Sequence, residues 1–179
     1  MKRLERIIRS DPNLTHVLEC LREAALPGWR VVSGCLYQTV WNVLTGRPHG
    51  TGIRDIDVIY FDDGDLSWEA EDAVIHRVTA PGPLEIRNQA RVHLWYEQRF
   101  GAPSTPLRSA DESLSRYPVT VQAVGARLEH DGRLDVIAPF GIDDVFAMVM
   151  RPNPRFPHPA TFAAKVARAR AIWPEITVA

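Results

Sequence analysis

The chain has 179 residues, 45% of them hydrophobic and 24% charged, with a net charge of −1 and a pI near 6.6. That length and composition exclude a disordered chain and support one folded domain with a buried core. The near-neutral charge excludes a broad basic footprint for duplex nucleic acid, but not a nucleotide whose phosphates are met by metal and backbone N–H groups.

Cys20 and Cys35 have no zinc-type neighbours and read as reduced thiols of a cytoplasmic protein. Residues 1–8 are charged and amphipathic, with no apolar h-region of a secretory signal, and no apolar run is long enough to cross a membrane. Ser10-Asp11-Pro12 predicts a helix start, a capping side chain just before a proline suited to the first turn. Leu14, Val17, Leu18 and Leu21 follow at helical spacing, so a helix runs to about Ala25 and stops at Leu26-Pro27-Gly28. Trp29-Arg30-Val31-Val32 reads as a short strand. After Ser33-Gly34 the helical period resumes through Leu36, Val40, Val43 and Leu44, up to Gly46. Residues 47–52 are a loop by composition.

Residues 55–61, rich in Ile, Val, Tyr and Phe, predict a strand, broken by Asp62-Asp63-Gly64-Asp65. Ser67 caps a helix to about Val78, with Glu69, Glu71 and Asp72 in its first turns, where the helix dipole favours acids. Beyond Pro81-Gly82-Pro83, residues 84–87 read as a short strand and residues 88–100 as helical. A loop with Pro103 and Pro106 precedes a short helix over residues 110–117. Residues 119–124 alternate like a strand, and residues 134–137 are the expected hairpin partner. The prolines of residues 152–159 mark a rigid loop, and a final helix covers residues 160–173. The whole chain, 1–179, reads as a single domain, with a core of about 10–100 and a packed C-terminal subdomain of about 101–179.

Asp55 and Asp57 are the first candidates for chemistry. Strand alternation puts both on one face, while Ile56, Val58 and Tyr60 face the other way. Two carboxylates on one face repel, and a divalent cation relieves that repulsion. The alternative is a solvated strand face paired with Arg54 or Arg87. Ser33-Gly34, between a strand and a helix, suits a phosphate, because glycine permits close approach and the helix N-terminus offers free N–H groups; the alternative is an ordinary tight turn. Glu85, on a later strand, is a third carboxylate that an adjacent strand brings beside the pair. Asn88 and Arg91, about one helical turn apart, suit contact with a nucleotide or acceptor. The alternative for Arg91 is an internal ion pair with Asp62 or Asp143, and for His93 a buried, hydrogen-bonded ring. Trp41, Trp95 and Tyr96 read as core.

In this order, a strand, a Ser-Gly turn, a helix, an Asp-x-Asp strand and a third acid resemble the nucleotidyltransferase superfamily built on the DNA polymerase β catalytic core. More closely, Ser33-Gly34 leading to Gln38-Thr39-Val40-Trp41-Asn42, then Asp55-Ile56-Asp57-Val58-Ile59-Tyr60-Phe61-Asp62, resembles small bacterial nucleotidyltransferase family proteins of the domain of unknown function 925 type. Asn88-Gln89-Ala90-Arg91-Val92-His93-Leu94-Trp95-Tyr96 and Ala138-Pro139-Phe140-Gly141-Ile142-Asp143-Asp144 fit the same family. Two departures stand out: twenty residues, 35–54, separate Gly34 from Asp55, and the turn runs Ser-Gly rather than Gly-Ser.

The resemblance implies an α/β (α+β) fold, a small mixed sheet with flanking helices and a C-terminal α/β subdomain. It implies a metal-dependent transfer of a nucleoside monophosphate from a nucleoside triphosphate to an unknown acceptor. Asp55, Asp57 and Glu85 would hold Mg2+ (or Mn2+), and Ser33, Gly34, Asn88 and Arg91 would bind nucleotide or phosphate. The other reading is a catalytically weak nucleotide-binding or toxin/antitoxin-type module of the same fold.

Overall fold

The computed structural model describes residues 1–101, 103–155 and 157–179. Helix α1 (Lys2–Ser10) buries Leu4, Ile7 and Ile8 along one stripe. The Asp11 carboxylate then accepts the Asn13 and Leu14 N–H groups at 3.0 and 3.1 Å and opens α2 (Pro12–Ala24), with Pro12 in the first turn. Leu14, Val17, Leu18 and Leu21 are its buried face, as their spacing predicts. Strand β1 (Arg30–Val32) leads through Ser33 into α3 (Gly34–Thr45), buried from Cys35 to Asn42. Strand β2 (Ile56–Tyr60), helix α4 (Trp68–Arg77) and strand β3 (Leu84–Asn88) follow. A 3-10 turn (Gln89–Arg91) enters α5 (Val92–Phe100). Helix α6 (Ala110–Ser113) and a 3-10 turn (Leu114–Arg116) replace the single short helix expected there.

Five strands form one mixed sheet in the order β3-β2-β1-β4-β5, with β4 (Gly125–Leu128) and β5 (Leu134–Ile137) from the C-terminal half. Strands β2 and β3 are parallel, with α4 as their crossover, and the other pairings are antiparallel. The hairpin differs from the sequence expectation. Residues 119–124 are buried throughout and wrap into a 3-10 turn (Thr120–Gln122), and residues 125–128 pair with β5 instead. Loop length decides the register: the Glu129 N–H closes on the Arg133 carbonyl at 2.9 Å, so the partner of residue 134 must be Leu128.

Helix α7 (Asp143–Ala147) carries Asp143 and Asp144 in its first turn, and α8 (Pro159–Arg170) ends three residues before Trp173. A second, two-stranded sheet of β6 (Val149–Met150) and β7 (Thr177–Val178) has no counterpart in the sequence reading. Cys20 and Cys35 are free thiols, and among the described residues no helix is long and apolar enough to cross a membrane.

The two faces of the sheet are unequal. Val31, Val58, Tyr60, Ile86 and Ala126 point into the main core with α1, α2 and α3. Val32 and Ile59 point the other way, under a small cap of Ala110 and Leu114. By the same alternation Asp57 and Glu85 share this second face. Arg30, also on it, ties the cap down: its guanidinium is paired with Asp111 of α6 and with Asp135 of β5, at 2.8 Å for the latter.

Two buried indoles fasten the C-terminal helix. Trp41 and Trp173 meet edge to face at 5.4 Å, and Trp173 donates through Nε1 to the Asn42 Oδ1 at 3.1 Å. Gly52 sits at φ +77° against the Trp173 ring, where an added Cβ would lie 2.4 Å from it. The loop after α3 therefore needs glycine at that point, and it locks α8 near the start of β2.

Asn153, fully buried, staples the cap to the rest of the fold. Its Nδ2 donates to the Ser115 and Tyr117 carbonyls at 2.7 and 2.8 Å, and its Oδ1 accepts the Arg155 N–H at 2.9 Å. Asn153→Ala strands two carbonyls, so we expect about 2–3 kcal/mol of destabilisation in urea unfolding, at unchanged m-value.

Candidate functional site

Ser33 carries an unusual backbone. At φ 60°, ψ −120° it occupies a region that L-residues rarely adopt, held by its N–H donating to the Val124 carbonyl at 2.9 Å and by its carbonyl accepting from Leu36 and Tyr37. Such conformations cost about 1–3 kcal/mol and concentrate at functional turns. The turn aims the opening N–H groups of α3, which have no intrahelical partner, away from the helix.

In front of that turn lies a small cavity of about 50 Å³, lined among others by Ser33, Gly34, Asp55, Asp57, Lys165 and Arg168. The last two stand three residues apart on α8, one turn of one helix face, and the sequence reading missed both. A signal existed: Lys2 and Lys165 are the only lysines of an arginine-rich chain. The Gln122 Oε1 is buried in the same lining without a hydrogen-bond partner among the described residues.

Asp57 pairs in register with Val32 of β1 and with Glu85 of β3, which sets the two carboxylates side by side on one face. Burial first, then the charges of Asp55 and Glu85, push the Asp57 carboxyl up to about 6, while Lys165 and Arg168 pull it back. Lys165 is itself lowered, by burial and by Arg168, against the pull of Asp57 and Asp55. The site is thus two cations facing a crowded set of carboxylates.

Glu85 leans toward Arg87, 3.2 Å away on its own strand. Among the described residues no three His, Cys, Asp or Glu side chains stand ready as a metal cluster. The donor set nevertheless suits a hard cation in kind: oxygen donors only, mutually repelling, with Asp57 held high by burial and then by that repulsion.

Asn88 and Arg91 lie elsewhere. Asn88 is buried and splices strand ends, its Oδ1 accepting from the Asp62 and Ala90 N–H groups and its Nδ2 donating to the Asp62 carbonyl at 2.7 Å. Arg91 is held by an internal ion pair, with Glu71 rather than Asp62 or Asp143, and its Nε donates to the Leu66 carbonyl at 3.0 Å. Neither borders the small cavity; Arg91 lines a larger one of about 540 Å³. His93 is half-buried, and its Nδ1 has no partner among the described residues, unlike the hydrogen-bonded ring expected. Trp41 and Tyr96 are buried, whereas Trp95 is only half-buried and lines the larger cavity. Asp57 and Glu85 line that cavity too.

Residues 19–178 match the family model described as Nucleotidyltransferase. The chain belongs to the nucleotidyltransferase family. Among solved structures, this nucleotidyltransferase is similar to one described as revealing a CCA-adding enzyme head domain, at 21% identity and a TM-score of 0.82, covering 100% of this chain and 95% of that one. A CCA-adding enzyme in complex with CTP matches at 16% identity and a TM-score of 0.53, over 98% of this chain and 43% of that one. The chain therefore spans less than half of that full enzyme. At these identities the likeness shows a shared fold. No curated protein matches the chain.

Proposed function

We propose that this nucleotidyltransferase moves a nucleoside monophosphate from a nucleoside triphosphate to an acceptor hydroxyl, with Asp55, Asp57 and Glu85 as ligands for magnesium or manganese. The observation that carries this reading is the position of Asp57, which borders both the small phosphate-sized cavity and the larger one. In the reaction the acceptor oxygen bonds to the α-phosphorus, the bond from that phosphorus to the bridging oxygen breaks, and pyrophosphate leaves. A bound divalent cation supplies charge neutralisation at the transferred phosphoryl group. Ser33 and the Gly34 N–H hold the leaving phosphates at the positive end of α3, and Lys165 and Arg168 meet them from the other side. Glu85, once released from Arg87, takes the acceptor proton.

Thermal melting with each of the four nucleoside triphosphates, with and without magnesium, tests the reading. At least one should raise the melting temperature only when magnesium is present; no rise with any of them overturns the proposal. Lys165→Ala and Arg168→Ala should each weaken that binding by about tenfold or more, the usual size of a lost charge-assisted contact. Titration by the melting shift reads this directly.

The pairing of Glu85 with Arg87 favours a second reading, a nucleotide-binding or toxin/antitoxin-type module without efficient turnover. Pyrophosphate release with a cell extract as acceptor source separates the two, since a module without turnover releases none.

A further inference from the structure

The larger cavity carries chemistry that selects an acceptor. In-line displacement puts the attacking oxygen opposite the leaving phosphates. With those phosphates beside Ser33 and Gly34, the acceptor must come from the Glu85 side, and Glu85 borders the larger cavity alone while Asp57 borders both. The cavity, at about 540 Å³, is the size of a small-molecule site. Its wall includes Trp95 and Phe100, with ring centroids 6.5 Å apart, and Phe100 is left 42% exposed. The exposed Arg99 guanidinium lies over both rings, at 5.9 and 5.6 Å. Among the described residues no carboxylate stands within ion-pair distance of Arg99, whereas Arg87 and Arg116 are paired, with Glu85 at 3.2 Å and Glu112 at 3.7 Å. Of the other two acids of the wall, Glu71 is taken by Arg91, and Asp57 is a ligand of the divalent cation in the transfer reading. A cationic acceptor therefore meets few unpaired carboxylates here, while an anion with a flat ring meets an unpaired guanidinium and two π faces.

We infer that the acceptor is a small anionic molecule with a planar ring, the ring packed against Trp95 and Phe100 and the anionic group on Arg99. This rests on the transfer reading above. Adenosine 5′-monophosphate (AMP), which joins a planar ring, a phosphate and free hydroxyls, is the probe. It is titrated calorimetrically with magnesium and no triphosphate, beside ribose 5-phosphate as an anion lacking the ring and kanamycin as a polycation. The wild type should bind AMP about tenfold or more tighter than ribose 5-phosphate, and kanamycin more weakly than either. Arg99→Glu should weaken AMP by about tenfold or more, and Trp95→Leu should weaken it by a similar factor. Arg99 is exposed, so a native circular dichroism spectrum is expected for that variant.

Absence of AMP binding in the wild type overturns the inference. So does tighter binding of kanamycin, or AMP affinity that responds to Lys165→Ala and not to Arg99→Glu, since that places the probe in the small cavity. The transfer reading is judged separately, by the magnesium-dependent melting shift with triphosphates in the wild type. If that shift is present while AMP ignores Arg99→Glu, the acceptor assignment fails alone.

Discussion

Asp57→Asn is expected to make the metal-free protein about 3 kcal/mol more stable than the wild type at about pH 7.5, and to remove both transfer and the magnesium-dependent response to triphosphate. Burial, Asp55 and Glu85 lift the Asp57 carboxyl from its ordinary 3.8 to about 6. At about 1.4 kcal/mol for each pH unit, that rise amounts to about 3 kcal/mol of preference for the neutral group in the folded state. Asparagine keeps the shape and supplies that neutrality at every pH. The direction follows from linkage. Below about pH 3.8 the carboxyl is protonated both folded and unfolded, so the preference is fully present and the variant gains nothing. As pH rises the unfolded chain loses its proton first, the folded wild type is progressively destabilised, and the loss is complete above about pH 6. The gap between variant and wild type should therefore open between pH 4 and 6 and then level off. Urea midpoints in chelator across that range measure it. A gap independent of pH, or a wild type that stays the more stable, would mean that neither burial nor the neighbouring acids burden the Asp57 carboxylate. Added magnesium should narrow the gap by binding the wild type alone.

The same carboxylate shows what a sequence reveals and what it withholds. Strand alternation was enough to set Asp57 on the face opposite Val58 and Tyr60, which enter the core, because the period of a strand is a local property; Asp55 falls just before β2, outside the strand expected from residue 55. The helix starts at Asp11 and Ser67 were legible for the same reason: a capping oxygen acts within a turn of itself. Glu85 lies between these cases. That it would stand near Asp57 was readable, but the in-register pairing rests on a parallel strand partnership that the whole α4 crossover must set. Lys165 and Arg168 were out of reach, since their place beside Asp57 depends on Trp173 docking against Asn42 and Gly52, more than a hundred residues earlier. Residues 119–124 misled because alternation of apolar residues marks a strand only when one side faces water, and here both sides are buried. Arg91 shows a further limit: an internal ion pair was foreseen, but its partner Glu71 sits on a helix whose acids looked like simple dipole partners.

Gly34→Ala separates the demands of the fold from those of a ligand. Gly52 is required by its neighbour, for an added Cβ would lie 2.4 Å from the Trp173 ring, and at Gly125 an added Cβ would lie 3.0 Å from the Arg30 Cδ, which would have to give way. Gly34 has no such neighbour. A Cβ there meets only the Gln38 side chain, no nearer than 3.7 Å, and the residue is not among the positive-φ glycines. The fold thus accepts alanine, and alanine is the better helix former by up to about 1 kcal/mol. The variant should melt at or slightly above the wild-type temperature. What the methyl group removes is close approach to the first N–H groups of α3, so magnesium–triphosphate affinity should fall by about tenfold or more. Together these are unusual, a stabilised protein that has lost its ligand. They are expected only if the glycine is there for phosphate. Gly52→Ala is the control, expected to lose stability because the indole has nowhere to move. Should Gly34→Ala bind triphosphate as the wild type does, the start of α3 is an ordinary tight turn, and Lys165 and Arg168 must hold the phosphates without it.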